Sequence, residues 1–211
     1  TVTLSATDAD GDAVIYSVVS EVSDVDVNLS EGVFPSLNFD GLDDYAMAPS
    51  IELQNSAFTV EVWYKSDGVG SGNEVNIVSN YGTGRSSGRS WNLMIKGNSE
   101  NPAGVARFFA AGGTPIDGTT RIDDNVWHHI AFVRYSDGSA KLFVDGKLEN
   151  TGKVLRDIDS GNDLLIGSKH YDRYTDCKIS QLMISKTARY TSNFSTVEPI
   201  FKTDSNALIH Y

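Results

Sequence analysis

With 211 residues, 40% of them hydrophobic and 10% aromatic, the chain is long enough for one large β-domain and too apolar to be disordered. A formal net charge of −11 argues against nucleic acid and anionic lipid as partners, and no apolar run is long enough to insert into a membrane. The single cysteine, Cys177, rules out an intrachain disulfide and a thiolate zinc site.

Helical periodicity is nearly absent. Short alternating or apolar runs bounded by Gly, Asn, Asp and Ser take its place, and they predict an all-β antiparallel sandwich. In chain order the runs are "TVTLSAT", "AVIYSVVS", "SLNFD", "YAMA", "FTVEVWYKS", "NIVSNY", "WNLMIKG", "ARFFAAG", "HHIAFVRY", "AKLFVDGKL", "DLLIGS", "CKISQLMISK" and "ALIHY". Turns are expected at Asp67-Gly68, Asp117-Gly118, Ser136-Asp137-Gly138 and Asp145-Gly146. A short helical turn is expected within "SKTARYTSNF", residues 185–194. The chain starts at Thr1 and carries no signal peptide, so it reads as a piece of a longer protein.

The adjacent His128 and His129 invite a metal reading. Side chains alternate along a strand, so the two point to opposite faces and cannot chelate one ion. From Trp127 to Tyr135 both faces carry apolar residues, which marks an inner strand and a structural role for both histidines. Cys177 opens an apolar strand and reads as a buried, inert thiol. The Asn28 and Asn193 glycosylation patterns read as chance.

Six segments together resemble the concanavalin A-like jelly-roll superfamily, in particular the laminin G-like or pentraxin-like modules of bacterial and phage surface proteins. They are "LNFDGLDDYAMAPS", "FTVEVWYKS", "NVWHHIAFVRYSDGSAKLFVDGKL", "DLLIGS", "KISQLMISKTARYTSNFS" and "DSNALIHY", in family order across roughly residues 33–211. The resemblance implies two antiparallel sheets in a jelly roll that binds carbohydrate or another surface ligand, often with Ca²⁺. Residues 32–211 are assigned to this domain. Residues 1–31, with "TVTLSATDADGDAVIYSVVS", are similar to the strands of cadherin-like or immunoglobulin-like adhesin repeats. Either the chain begins inside such a repeat, or the jelly roll interrupts one, or these strands add to the jelly-roll edge.

Candidate Ca²⁺ ligands fall in two places. Asp8, Asp10 and Asp12 of "DADGD" alternate acid and small residue, as oxygen ligands wrapping a hard cation do, although the distal Glu of an EF-hand is missing. Asp40, Asp43 and Asp44 of "FDGLDDY" form the second set. First and last strands are commonly neighbours in jelly rolls of this type, so "SLNFD" is expected to pair with "ALIHY". That would add Asp204 and Asn206 to the second set. The alternative for every one of these acids is turn chemistry without metal.

Two loops carry the aromatic and planar hydrogen-bonding side chains that sugars require. "NYGTGRSSGRSWN" supplies Tyr81, Arg85, Arg89 and Trp91. "GSKHYDRYTDC" supplies His170, Tyr171, Asp172, Arg173 and Tyr174. Catalysis has no such support. No Glu-x-Asp-x-Glu triple is present, Glu61 has no acid two residues away, and the Asp24/Asp26 pair lies outside the jelly roll. The glycine-rich "GTGRSSG" is not a phosphate loop either, because the Lys-Ser/Thr ending and a following helix are absent.

The expected protein is therefore a non-catalytic, Ca²⁺-dependent binding module of a large extracellular adhesin, monomeric within its chain, holding surface glycans or proteins. The competing readings are a structural or decoration domain of a phage virion or fibre and, further off, a glycan-cleaving enzyme.

Overall fold

The computed structural model describes residues 36–68, 74–81, 89–170 and 173–196, with residues 26–28 and 207–210 described by backbone alone. In chain order the strands are β1 (Asp26–Asn28), β2 (Ser36–Asp40), β3 (Ala46–Ala48), β4 (Phe58–Lys65), β5 (Glu74–Ser79), β6 (Trp91–Lys96), β7 (Val105–Ala110) and β8 (Ile116–Arg121). There follow β9 (His128–Arg134), β10 (Ser139–Val144), β11 (Lys147–Lys153), β12 (Leu164–Ile166), β13 (Ser168–Lys169), β14 (Arg173–Tyr174), β15 (Asp176–Ser185) and β16 (Ala207–His210). No helix occurs among the described residues, and none is long and apolar enough to cross a membrane.

Two antiparallel sheets form the sandwich. One runs β1-β2-β15-β4-β9-β10-β11, with β16 also pairing β15; the other runs β3-β12-β5-β6-β7-β8. Alternation sorts each strand. Val60, Val62 and Tyr64 of β4 and Ile130 and Phe132 of β9 face inward. They meet Leu93, Ile95, Ala106 and Phe108 of the second sheet in one core. An aromatic stack ties the sheets together: Phe108 lies 3.5 Å from Phe132 with parallel rings, Trp91 lies 5.7 Å from Phe108, and Phe58 lies 5.9 Å from Phe132.

The outer face of the first sheet is apolar as well. Ala131, Val133 and Phe143 are fully buried there beneath Tyr135, Ala188, Tyr190 and Phe194. This is why both faces of β9 read as apolar in sequence. The helical turn expected at 185–194 is absent. That segment is instead an irregular strap tied to the neighbouring strands and turns by hydrogen bonds. Tyr135 Oη donates to the Tyr190 carbonyl at 2.6 Å, Lys141 Nζ to the Thr191 carbonyl at 2.6 Å, and Phe194 N–H to the Gly146 carbonyl at 2.9 Å. Asn193 Oδ1 accepts from Leu148 N–H at 2.8 Å, so this amide is a strap anchor.

Two further expectations are corrected. Asp117-Gly118 is not a turn but lies within β8. Asp117 sits opposite Arg107 in register and binds its guanidinium at 2.6 and 2.9 Å. Glu149 reaches over Gly118 to accept from the Thr119 N–H at 2.7 Å, and a Cβ at Gly118 would meet that carboxylate at 2.6 Å. The Asp145-Gly146 turn stands as expected, with φ of 49° and 72° closing the β10–β11 hairpin.

The second correction concerns the strand ends. β2 does not pair with β16; both pair with β15, β2 along Asp176–Ile179 and β16 along Met183–Ser185. Asp40 faces Asp176, whereas Ala207 faces Ser185, nine residues further along the same strand. At about 3.3 Å per residue those positions are roughly 30 Å apart, so the start of β16 does not lie beside Asp40. Asp204 and Asn206 themselves lie outside the described residues, as do Asp8, Asp10 and Asp12. Of the 1–31 segment only Asp26–Asn28 is described, and it adds to the sheet edge beside β2.

The registers Asp40↔Asp176, Lys178↔Lys65, Tyr64↔His128 and Val144↔Ile130 place the 41–45 loop, the 66–68 bend, the β8–β9 loop and the Asp145-Gly146 turn at one end of the first sheet.

Candidate functional site

At that end β2 stops at Asp40. Gly41 turns with φ +76° and passes so close to Asp176 that an added Cβ would lie 3.1 Å from its Cβ and its N. Asp40 Oδ1 accepts from Leu42 N–H at 2.8 Å, and buried Asp44 Oδ2 accepts from Asp40 N–H at 3.1 Å. The loop is thereby folded back on itself, and one ligand atom from each of Asp40, Asp43 and Asp44 falls within 4.8 Å of the others. Oxygens at that spacing match opposite or adjacent positions around a hard cation bound at about 2.3–2.6 Å. Asp176 adds negative charge: burial first, then Asp67 and Asp40, raise its carboxyl above the usual range.

Beside the acids stands an aromatic and cationic arm. Tyr45 follows Asp44, and its ring lies 6.4 Å from Tyr174 of β14. The β13–β14 hairpin is pinned to β5 through Glu74, whose Oε1 takes Lys169 Nζ at 2.7 Å and Arg173 Nη1 at 2.8 Å. Lys169 also sits 4.5 Å over the Tyr81 ring, and Tyr81 meets His170 edge-on at 5.1 Å. Burial, and then the Glu74 charge, push the Tyr81 hydroxyl up to about 12, so it stays a neutral donor. The Arg173 side chain remains 55% exposed and Tyr174 half-buried, so both reach solvent.

The two sequence-selected loops are thus partly united. Tyr81, His170 and Arg173 gather around Glu74 and Lys169, and Tyr174 meets Tyr45. Trp91 does not join them. As the first residue of β6 it alternates inward with Leu93 and Ile95, is 0% exposed and has no face left for a ligand. Arg89 pairs with Asp157 at 3.1 Å in a separate depression shared with Glu52, Gln54 and Asp159. Arg85, Tyr171 and Asp172 lie outside the described residues. Sequence reading missed Tyr45, Glu74, Lys169 and Asp176. The run "DDY" contains a signal for Tyr45. Glu74 carries none, because its partners are 95 and 99 residues away.

The histidines are structural, as their alternation implies. His128 Nδ1 lies 2.8 Å from Asp145 Oδ2 and its Nε2 lies 3.1 Å from Asp124 Oδ1, while His129 turns to the other face and meets Glu61 at 3.3 Å. The Asp145 hydrogen bond raises the His128 pKa against the opposing effect of burial. Burial works against ionised Asp145, but His128 and the His129 N–H outweigh it and hold the carboxyl low. The raised His128 stabilises the fold fully below about pH 6.5 and loses that contribution as pH rises through its folded value. The lowered Asp145 contributes above about pH 4. The pair therefore stabilises most between those limits. His128→Gln is expected to flatten the stability profile between pH 6 and 8 in urea titrations. A profile identical to that of the parent chain would remove His128 as its source.

A sandwich of two antiparallel sheets in this strand order defines a jelly-roll fold. The chain belongs to the concanavalin A-like lectin/glucanases superfamily, whose laminin G-type family model matches residues 39–193. No significant sequence match to a curated protein is found. Among solved structures the chain is similar to a putative carbohydrate binding protein from Bacteroides ovatus, at TM-score 0.63 and 17% identity over 83% of this chain and 50% of that one. It is similar to the binding domain of Paraclostridial Mosquitocidal Protein 1, at TM-score 0.62 and 16% identity over 81% of this chain and 44% of that one. A third likeness is Trypanosoma rangeli sialidase, at TM-score 0.53 and 16% identity over 74% of this chain and 26% of that one. The chain thus spans half or less of each of these proteins, and at these identities the likeness is one of fold.

Proposed function

We propose that this domain is a non-catalytic, Ca²⁺-dependent carbohydrate-binding module of a larger extracellular surface protein of the adhesin type. The observation that carries the reading is the clustering of the Asp40, Asp43 and Asp44 carboxylates in the loop that leads into Tyr45, whose ring lies 6.4 Å from that of Tyr174, the neighbour of Arg173 in β14. A hard cation on the acids would hold the 40–44 loop and accept sugar hydroxyls in its open positions. Tyr174 would offer a face to the pyranose C–H groups, and Arg173, oriented by Glu74, would donate to hydroxyl or carboxylate oxygens. The names of the Bacteroides and mosquitocidal-protein neighbours support a binding role, and an extracellular place accords with it. The non-catalytic part rests on Glu61: this acid on a central strand is fully buried between Arg189, His129 and Tyr190, out of reach of a glycosidic bond.

A glycan array probed in millimolar Ca²⁺ and again in EDTA tests the reading. Discrete hits that vanish in EDTA, and that weaken about tenfold in Tyr174→Ala through loss of the stacking face, are the expected result. Hits that survive EDTA would confine any metal to scaffolding. A blank array in both conditions would refute carbohydrate recognition and leave protein ligands or a virion-type structural role.

A further inference from the structure

A second depression lies on the outer face of the first sheet, at the same end of the molecule. It is a shallow groove of about 550 Å³, within the usual range for small-molecule sites of about 300–1,000 Å³. Trp63, Val126 and Trp127 give it an apolar wall, and Lys65, Asn125 and Asp145 give it polar groups. None of these residues belongs to the acidic loop or to the β13–β14 hairpin.

The polar groups are held in place. Asp145 Oδ2 lies 2.8 Å from His128 and Asp145 Oδ1 accepts from the His129 N–H at 2.9 Å, which fixes the carboxylate plane while leaving 39% of the side chain exposed. Asn125 is exposed, takes φ +63°, and its N–H is tied to the Ser66 carbonyl at 2.8 Å. Its backbone is therefore set in the left-handed region, where Asn is tolerated at a cost. Trp63 packs edge-on against His129 at 5.4 Å, which locks the back wall. An aromatic wall, a fixed carboxylate acceptor, an amide and an ammonium group together match a ring with one apolar C–H face and a rim of hydroxyls. A purely apolar ligand would strip water from the exposed part of the Asp145 carboxylate and from the Lys65 ammonium without replacing its hydrogen bonds. A polyanion would meet Asp145 and the exposed Asp124.

We propose that this groove is a second carbohydrate subsite, taking a pyranose unit of an extended glycan. The inference rests on the carbohydrate-binding reading above and adds the class of ligand: a chain of several sugars rather than a single terminal one. Strand order supports the span. From Lys65 on β4 or Trp127 at the head of β9 to Asp40 on β2 lie two or three strand spacings, about 10–15 Å at about 4.8 Å each. One oligosaccharide lying across the end of the first sheet would touch both sites, and the second contact would raise affinity as an intramolecular event.

The test titrates the chain with cello-, chito-, xylo- and malto-oligosaccharides from single sugars to hexamers, read by tryptophan fluorescence and calorimetry. Affinity is expected to climb with chain length for at least one series. Trp127→Ala and Asn125→Gly are each expected to weaken the hexamer about tenfold, with the loss growing with length. Asn125→Gly keeps the positive φ and removes only the amide, so it stands in if Trp127→Ala fails to fold. Hexamers that bind both folded variants as tightly as the parent chain would overturn the subsite and leave the first site intact. Failure of every sugar to bind the parent chain would overturn both.

Discussion

Glu61→Ala is expected to destabilise the fold by about 3–5 kcal/mol, the usual cost of removing one partner of a buried ion pair. Glu61 lies mid-strand on β4, pointing away from the core yet 0% exposed, because the 186–196 strap covers it. Its Oε1 is 2.6 Å from Arg189 Nε; its Oε2 is 2.7 Å from Tyr190 Oη and 3.3 Å from His129 Nε2. A carboxylate taken from water to that depth is tolerated only because cation and donors surround it. Take it away and the Arg189 charge, on a side chain only 16% exposed, sits by the Tyr190 ring without this carboxylate. Tyr190 stacks on Phe194 at 3.6 Å, so the loss passes straight into the strap. Urea unfolding followed by tryptophan fluorescence measures this directly. A companion variant, Glu61→Leu with Arg189→Met, replaces the pair by apolar groups and should recover much of the loss, since both charges go together. A loss below about 1 kcal/mol in Glu61→Ala would mean that the strap is held by its aromatic contacts alone.

Glu61 also shows what kind of information the sequence carries. The apolar residues on both faces of "HHIAFVRY" mark that segment as an inner strand, and it is central in the first sheet beside the strand formed by "FTVEVWYK". Alternation also separates His128 from His129. It does not reveal that the polar residue in such a run is buried, because the covering strap is more than 120 residues away. Local turn signals behave the same way. Asp145-Gly146 closes a hairpin because the flanking strands pair with each other. Asp117-Gly118, with the same dipeptide, stays in a strand because Arg107 and Glu149 reach it from elsewhere. The candidate site divides along that line. Asp40, Asp43 and Asp44 are contiguous and legible as a cluster. The hub of the neighbouring arm, Glu74, acquires its role only when β13 and β14 fold across β5. The expected pairing of "SLNFD" with "ALIHY" failed on topology: β15 is the long strand that both use, one behind the other, so β2 and β16 are not neighbours across a ladder, while Asp204 and Asn206 lie outside the described residues.

Millimolar Ca²⁺ is expected to raise the melting temperature, and Asp43→Asn to abolish that rise. At a hundredfold excess over Kd, binding to the native state alone adds about 2.7 kcal/mol, or roughly 5–10 °C for a domain of this size. Asp43 is the informative position because it is exposed. Asp44 also braces the Asp40 N–H, so Asp44→Ala should lose stability in EDTA as well. Asp176→Asn supplies the opposite sign. The raised Asp176 carboxyl means that the folded state holds its proton more tightly than the unfolded chain does. Stability at this locus therefore falls as pH rises from about 4 through the folded value. In EDTA at neutral pH, Asp176→Asn should melt above the parent chain, since it relieves repulsion with Asp67 and Asp40. In Ca²⁺ that advantage should shrink, because the cation already screens the same charges. Equal melting shifts for the parent chain and Asp43→Asn would take the metal away from this loop. A gain from Asp176→Asn that persists in Ca²⁺ would mean that the acids repel one another with no ion between them.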